Sequence, residues 1–106
     1  PFKFLSKNSI GIVSSKYEAF GRITIEYMAL GIPVIAKNSG NNPFLIKHGI
    51  NGLLYEDSNI EELCDNILLI KNTNSLSEKI KLRAKIEVSE MYNFSQYIEF
   101  FKLNLN

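Results

Sequence analysis

Cysteine and histidine each occur once in this chain and proline three times, and neither acidic nor basic residues are in excess. A single thiol permits neither an internal disulfide nor a cysteine-based metal cluster. Twelve Lys and Arg against eleven Asp and Glu leave a formal charge of +1. No concentrated basic face with interleaved aromatics accompanies that charge, so nucleic acid is not an expected partner. No apolar run is long enough to span a bilayer, no signal peptide opens the chain, and internal repeats and low-complexity linkers are lacking. The expectation is a cytoplasmic protein whose scattered lysines allow at most peripheral contact with the inner face of an anionic membrane. An abundance of Ile, Asn and Lys fits an AT-rich bacterial genome. The 106 residues allow one small domain. They lack an initiator methionine and open on Pro1 to Leu5, which reads as the end of a helix, so part of a longer protein is expected.

Three short apolar runs read as buried strands: Ile10 to Val13, Val34 to Ala36 and Leu53 to Tyr55. The segments between them are long enough for parallel crossovers, which makes the fold class α/β. Between the first two runs lies Glu18-Ala19-Phe20-Gly21-Arg22-Ile23-Thr24-Ile25-Glu26. Arg22 to Leu30 reads as a helix with Ile23, Tyr27 and Leu30 on one side. Gly31 suits its C′ position, and Pro33 stops it before the next strand. A strand, a glycine-containing loop and a helix form the nucleotide-binding unit of α/β proteins, whose ligands sit beyond the carboxyl ends of the strands. Gly21 lets a ligand approach the backbone, and the N–H groups of a first helical turn point at an anion.

The two glutamates must do different jobs. If all nine residues were helical, eight steps would separate them by roughly 12 Å along the axis, so Glu18 is placed in the loop and Glu26 inside the helix. A carboxylate only accepts hydrogen bonds, and its two oxygens match the donors of a vicinal diol, as on a ribose or hexose. A diphosphate joining two sugars fits the space between them, with Arg22 and the helix N-terminus supplying positive potential. Asn38-Ser39-Gly40-Asn41-Asn42-Pro43 follows the second strand as a turn-forming loop on the same edge of the sheet. Gly40 and Asn41 are its residues expected at the ligand, with Asn41 able to take a positive φ. Phe44 is expected to pack inward with Leu45 and Ile46.

Ser15 to Glu26, Met28 to Ala36 and Gly49-Ile50-Asn51-Gly52-Leu53-Leu54-Tyr55 together resemble, over about residues 4 to 70, the carboxyl-terminal part of the group 1 (family 4) glycosyltransferases. The resemblance implies the GT-B architecture, two Rossmann-like domains facing a cleft. This chain would be a partial domain: a three-layer half with about three parallel strands and carboxyl-terminal helices. It also implies a retaining transfer of a hexose-type sugar from a nucleotide diphosphate donor to an acceptor hydroxyl, with no metal or other cofactor. Glu18 would hold donor-sugar hydroxyls and Glu26 the ribose. Amides around Phe20, Gly21 and Arg22 would bind the sugar, and those around Ile23 and Thr24 the phosphates. An acceptor glycan or lipid-linked sugar would come from the missing amino-terminal domain. Many relatives carry a Gly-Gly pair followed by Pro-Glu after the second strand, where this chain reads Gly40-Asn41-Asn42-Pro43-Phe44. Two other readings stay open: a nucleotide-sugar-binding module without transferase chemistry, and another sugar-nucleotide enzyme such as an epimerase or phosphorylase.

In a doubly wound sheet of order 3-2-1-4-5-6 these strands would be the last three, leaving the Ile10 strand without its neighbour. Self-association through that edge is the consequence, and no turnover by the 106 residues alone is expected. Ser58-Asn59-Ile60-Glu61 reads as a capping box before Ile60, Leu63, Cys64, Ile67 and Leu68, with Cys64 a buried, inert thiol. Ser75-Leu76-Ser77-Glu78 repeats the box before Leu76, Ile80, Ala84, Val88 and Met91. Asn93-Phe94-Ser95-Gln96 is expected to open a last helix with an aromatic inner face. His48, between Lys47 and Gly49, reads as a solvated loop residue rather than a catalytic base.

Overall fold

The computed structural model describes residues 9–14 and 21–105, with side chains through residue 91. Three strands, β1 (Gly11–Val13), β2 (Val34–Lys37) and β3 (Leu53–Tyr55), form one parallel sheet in sequence order. Gly11 stands opposite Val34 and Val13 opposite Ala36, while Ile35 faces Leu53 and Lys37 faces Tyr55. Each strand lies within a residue of its apolar run, and the order is that of the last three strands of a doubly wound sheet.

Parallel pairing forces the connections over the faces of the sheet. On one face Val13, Val34 and Ala36 pack with Met28 of helix α1 (Arg22–Ala29) and with Ala84 and Val88 of helix α4 (Asn74–Leu105). On the other, Ile35, Leu53 and Tyr55 pack with Ile70 of helix α3 (Ile60–Asn72) and with Ile80 of α4. The Leu76, Ile80, Ala84, Val88 stripe read from the sequence is therefore real, and it serves both cores. Helix α4 passes the amino ends of the strands: Ser9, Ile10 and Pro33 share a cavity with Asn74, Ser77 and Lys81, and Asn51 just before β3 bonds to Glu87. Among the described residues, α4 is not placed at the carboxyl ends by these contacts.

Helix α1 ends in paired bonds from the Gly31 N–H to Met28 O and from the Ile32 N–H to Tyr27 O, the Schellman closure that Gly31 suggested. Its most buried positions are not on the side that carries Ile23, Tyr27 and Leu30. Thr24 and Met28 are buried, whereas Ile23 and Leu30 are about half exposed. Residues four apart share a face, and the hydroxyl of Thr24 finds a buried partner, which turns Ile23 outward by about 100°.

Four further expectations are corrected. Phe44 does not pack inward: in the single-turn helix α2 (Asn42–Leu45) it is 83% exposed. Asn42 and Ile46, four apart, take the inner positions and leave Phe44 facing out. The cap of α3 is Asn59, whose side chain accepts from the Glu62 N–H at 3.0 Å, one residue beyond the expected Ser58. Cys64 is exposed with Ile60 and Leu68, because the inner arc centres on Asn66 and Ile70, the Asn66 amide donating to Leu54 O. No break opens a helix at Asn93, since α4 runs unbroken from Asn74 and contains no Gly or Pro to stop it. The aromatic inner face expected beyond Asn93 lies outside the described side chains. His48 is exposed as expected, and its Nδ1 accepts from the Leu54 N–H at 2.9 Å.

The split stripe of α4 makes a paired prediction. Ile80 is fully buried while Leu82 is 63% exposed. Ile80→Ala should lower unfolding stability by about 2 to 5 kcal/mol, and Leu82→Ala by no more than about 0.5 kcal/mol. Urea titration of both variants checks the contrast.

Candidate functional site

In sequence β1 precedes α1 and β2 precedes α2; the structure holds the tip of α1 against the β2–α2 loop. Gly21 caps α1 in the left-handed region, with φ 65° and ψ 31°, and among the described residues no side chain caps the helix. That backbone already favours glycine. Space adds a second requirement, since a Cβ on Gly21 would collide with Leu45 Cδ1 of α2 and come near Asn41 Cβ. The predicted glycine is thus where the two loops touch.

A polar link joins the same two loops. Thr24, with no solvent exposure, donates its Oγ1 hydrogen to Asn42 Oδ1 at 2.9 Å. Asn42, also buried, donates from Nδ2 to Lys37 O, the last carbonyl of β2, at 3.0 Å. Its own N–H donates to Ser39 O. Both ends of the Asn42 amide are therefore used, as burial requires.

The second loop is tied in turn to the one after β3. Asn38 Nδ2 donates to Glu56 Oε2 at 2.8 Å, and Lys37 Nζ stands 3.2 Å from Asp57 Oδ1. Glu62 Oε1 accepts from the Glu56 N–H, which anchors that loop to the start of α3. Ser39 Oγ is shielded from solvent without a partner among the described residues. Within the loop the positive φ falls on Gly40, at 58°, whereas Asn41 stands at φ −87° and starts α2 with its carbonyl. Asn41 therefore does not take the left-handed role expected of it, because the glycine beside it does.

Of the residues expected at the ligand, Gly21, Arg22, Ile23 and Thr24 lie at the tip of α1, Glu26 one turn further along it, and Gly40 and Asn41 in the β2–α2 loop. Arg22 and Gly40 are exposed, Glu26 and Asn41 half-buried. Glu26 sits inside α1, as its spacing from Glu18 suggested. Glu18 and Phe20 fall outside the described residues. Asn42 was missed by the sequence reading, because a buried asparagine carries no periodic signal and its partner lies 18 residues away.

Two cavities among the described residues lie elsewhere. One of about 520 Å³ runs between α2 and α4, with Met28, Phe44 and Met91 among its walls and Lys47, Arg83 and Glu90 at its rim. Another, of about 670 Å³, lies at the amino ends of the strands. Neither includes any residue expected at the ligand. Among the described residues no group of three or more His, Cys, Asp or Glu could hold a metal ion, and no helix is long and apolar enough to cross a membrane.

Comparison with known proteins follows the same direction. The family model described as "Glycosyl transferases group 1" matches residues 2–87. An uncharacterized glycosyltransferase of Methanocaldococcus jannaschii is 33% identical over 95 residues, covering 90% of this chain and 27% of its own. The crystal structure of the C-terminal domain of a group 1 glycosyl transferase from Francisella tularensis superposes with a TM-score of 0.68 at 30% identity, over 76% of this chain and 43% of that one. Anabaena HepE, crystallised in complex with UDP-glucose, gives a TM-score of 0.71 at 25% identity, over 91% of this chain and 28% of its own. The chain spans about a quarter of the length of the curated relatives it matches.

Gly21 supplies the prediction here. A left-handed backbone costs an L-residue roughly 1 to 2 kcal/mol, and the Leu45 contact adds to that. Gly21→Ala should therefore destabilise the fold by more than the backbone cost in the native background and by less in a Leu45→Ala background. Urea denaturation of the four proteins measures the difference.

Proposed function

Because this chain belongs to the group 1 glycosyl transferases, we propose that it forms the donor-binding part of an enzyme moving a hexose-type sugar from a nucleotide diphosphate to an acceptor hydroxyl. The observation that carries this reading is the glycine-capped tip of α1, held against the β2–α2 loop that leaves the carboxyl end of a parallel strand. A helix tip without a capping side chain favours an anion through its N–H groups and its dipole. The UDP-glucose bound by Anabaena HepE supports a nucleotide-sugar donor here as well.

In this proposal the amides of Ile23 and Thr24 bind the diphosphate, while those of Phe20, Gly21 and Arg22 approach the sugar. Arg22, exposed at the tip, adds positive potential without being buried. Glu26, four residues past Arg22 and half-buried, accepts from the ribose diol, and Glu18 accepts from hydroxyls of the donor sugar. Gly40 and Asn41 form the wall beside them. The reaction proceeds with retention: the acceptor hydroxyl reaches the anomeric carbon on the face from which the diphosphate departs. Stabilising the departing charge by fixed dipoles then supplies much of the rate enhancement. No metal takes part. The glutamates position substrate and do not act as the acid and nucleophile of a hydrolase. The acceptor, a glycan or lipid-linked sugar, and the face that presents it lie outside these 106 residues, which by themselves do not turn over. The enzyme works on the cytoplasmic side.

The edge of the sheet supports one more partner. Among the described residues β1 pairs only with β2, and Ile12 on it is 43% exposed. An apolar edge strand of this kind recruits another strand. The 106-residue chain should sediment as a dimer or larger species at tens of micromolar; a monomer there would remove the proposal.

For the donor, the full-length protein is screened with UDP-, GDP- and ADP-glucose for thermal stabilisation. One of them at about 100 Kd should add roughly 2.7 kcal/mol. Glu18→Ala and Glu26→Ala should each lower kcat/KM at least about tenfold. Unchanged values would strip both residues of their roles.

A further inference from the structure

We propose that Asn42 is a positioning residue for the donor diphosphate, acting through Thr24; this rests on the reading of the α1 tip as the phosphate site. Thr24 is the third residue of α1, and its amide is one of those assigned to phosphate. Its side chain points the other way, into the protein, where Oγ1 donates to Asn42 Oδ1 at 2.9 Å. Asn42 Nδ2 donates to Lys37 O at 3.0 Å. Carbonyl, amide and hydroxyl thus form one short chain of bonds from the last residue of the central strand to the first turn of the helix.

Stability alone gives this arrangement little reason to exist. Both side chains are shielded from solvent, so each had to be desolvated, and paired buried polar groups yield little net stabilisation over apolar groups of the same shape. What polar pairing provides is geometry, because hydrogen bonds fix direction where apolar contacts fix only distance. Here the direction fixed is that of the first turn of α1 relative to the sheet. The Gly21–Leu45 contact holds the same tip by packing, which sets distance rather than direction. A diphosphate is sensitive to the direction of the first turn, since its oxygens must meet several N–H groups at once.

The test uses the full-length protein and calorimetric binding of UDP, GDP and ADP and of the matching monophosphates, for the native chain and for Thr24→Val, Asn42→Ala, the double variant, Thr24→Ser and Glu26→Ala. Thr24→Val and Asn42→Ala should each weaken the preferred diphosphate about tenfold and its monophosphate by less than about threefold. The double variant should bind no more weakly than the poorer single one, the non-additivity expected of a shared link. Thr24→Ser, which keeps the hydroxyl, should restore diphosphate binding. A general loss of stability would not move the diphosphate-to-monophosphate ratio, and the near-isosteric Thr24→Val keeps the test decisive should Asn42→Ala not fold. Native diphosphate affinity in folded Thr24→Val, alongside its loss in Glu26→Ala, would overturn the role of Asn42 alone. Failure of the native protein to bind any of the three diphosphates would overturn the phosphate-site reading and this inference with it.

Discussion

Strand β2 is the constraint on which the rest depends. Val34, Ile35 and Ala36 are buried in alternation on both faces of the sheet, so each face must be covered, and the chain supplies α1 on one side and α3 on the other. Parallel pairing then collects the three outgoing connections at one end and the three incoming ones at the other. Helix α4 closes the incoming end by lending Ile80 to one core and Ala84 and Val88 to the other. The outgoing end carries the tip of α1 and the β2–α2 loop, in a chain that belongs to the group 1 glycosyl transferases.

Short strands offer few hydrogen bonds, and buried asparagines compensate. Asn42 grips Lys37 O at the end of β2, and Asn66 of α3 grips Leu54 O in β3. Asn51, fully buried before β3, accepts from the Lys47 N–H and donates to Leu45 O and to Glu87, whose other oxygen meets Arg83. In each case a side-chain amide satisfies a carbonyl that no ladder or helix reaches. The Gly49-Ile50-Asn51-Gly52 block, read as part of the family resemblance, is thereby explained as a staple that ties the start of β3 to α2 and α4.

What the sequence made legible divides along the same line. The strands were readable because they are bounded apolar runs, and the α1 stop was readable because Gly31 and Pro33 carry local chemistry. The facing of α1 and α2 was not. Ile23 and Phe44 are more apolar than Thr24 and Asn42, and only a hydrogen bond spanning 18 residues reverses their order of burial. Single-turn α2 is too short for a period to show at all. The α3 cap was misplaced by one residue because Ser58 and Asn59 are both good caps, and the choice between them rests on Ser58 adopting φ 65°. At the candidate site the glycine, the helix tip and Glu26 could be read from spacing, whereas the link beneath them could not.

Cys64 turns this arrangement to practical use. It is the chain's one thiol, it faces solvent, and α3 carries it on the side of the sheet away from α1. A maleimide dye or spin label would therefore attach at one known point without mutagenesis, reporting tumbling and association while leaving the α1 tip unmodified.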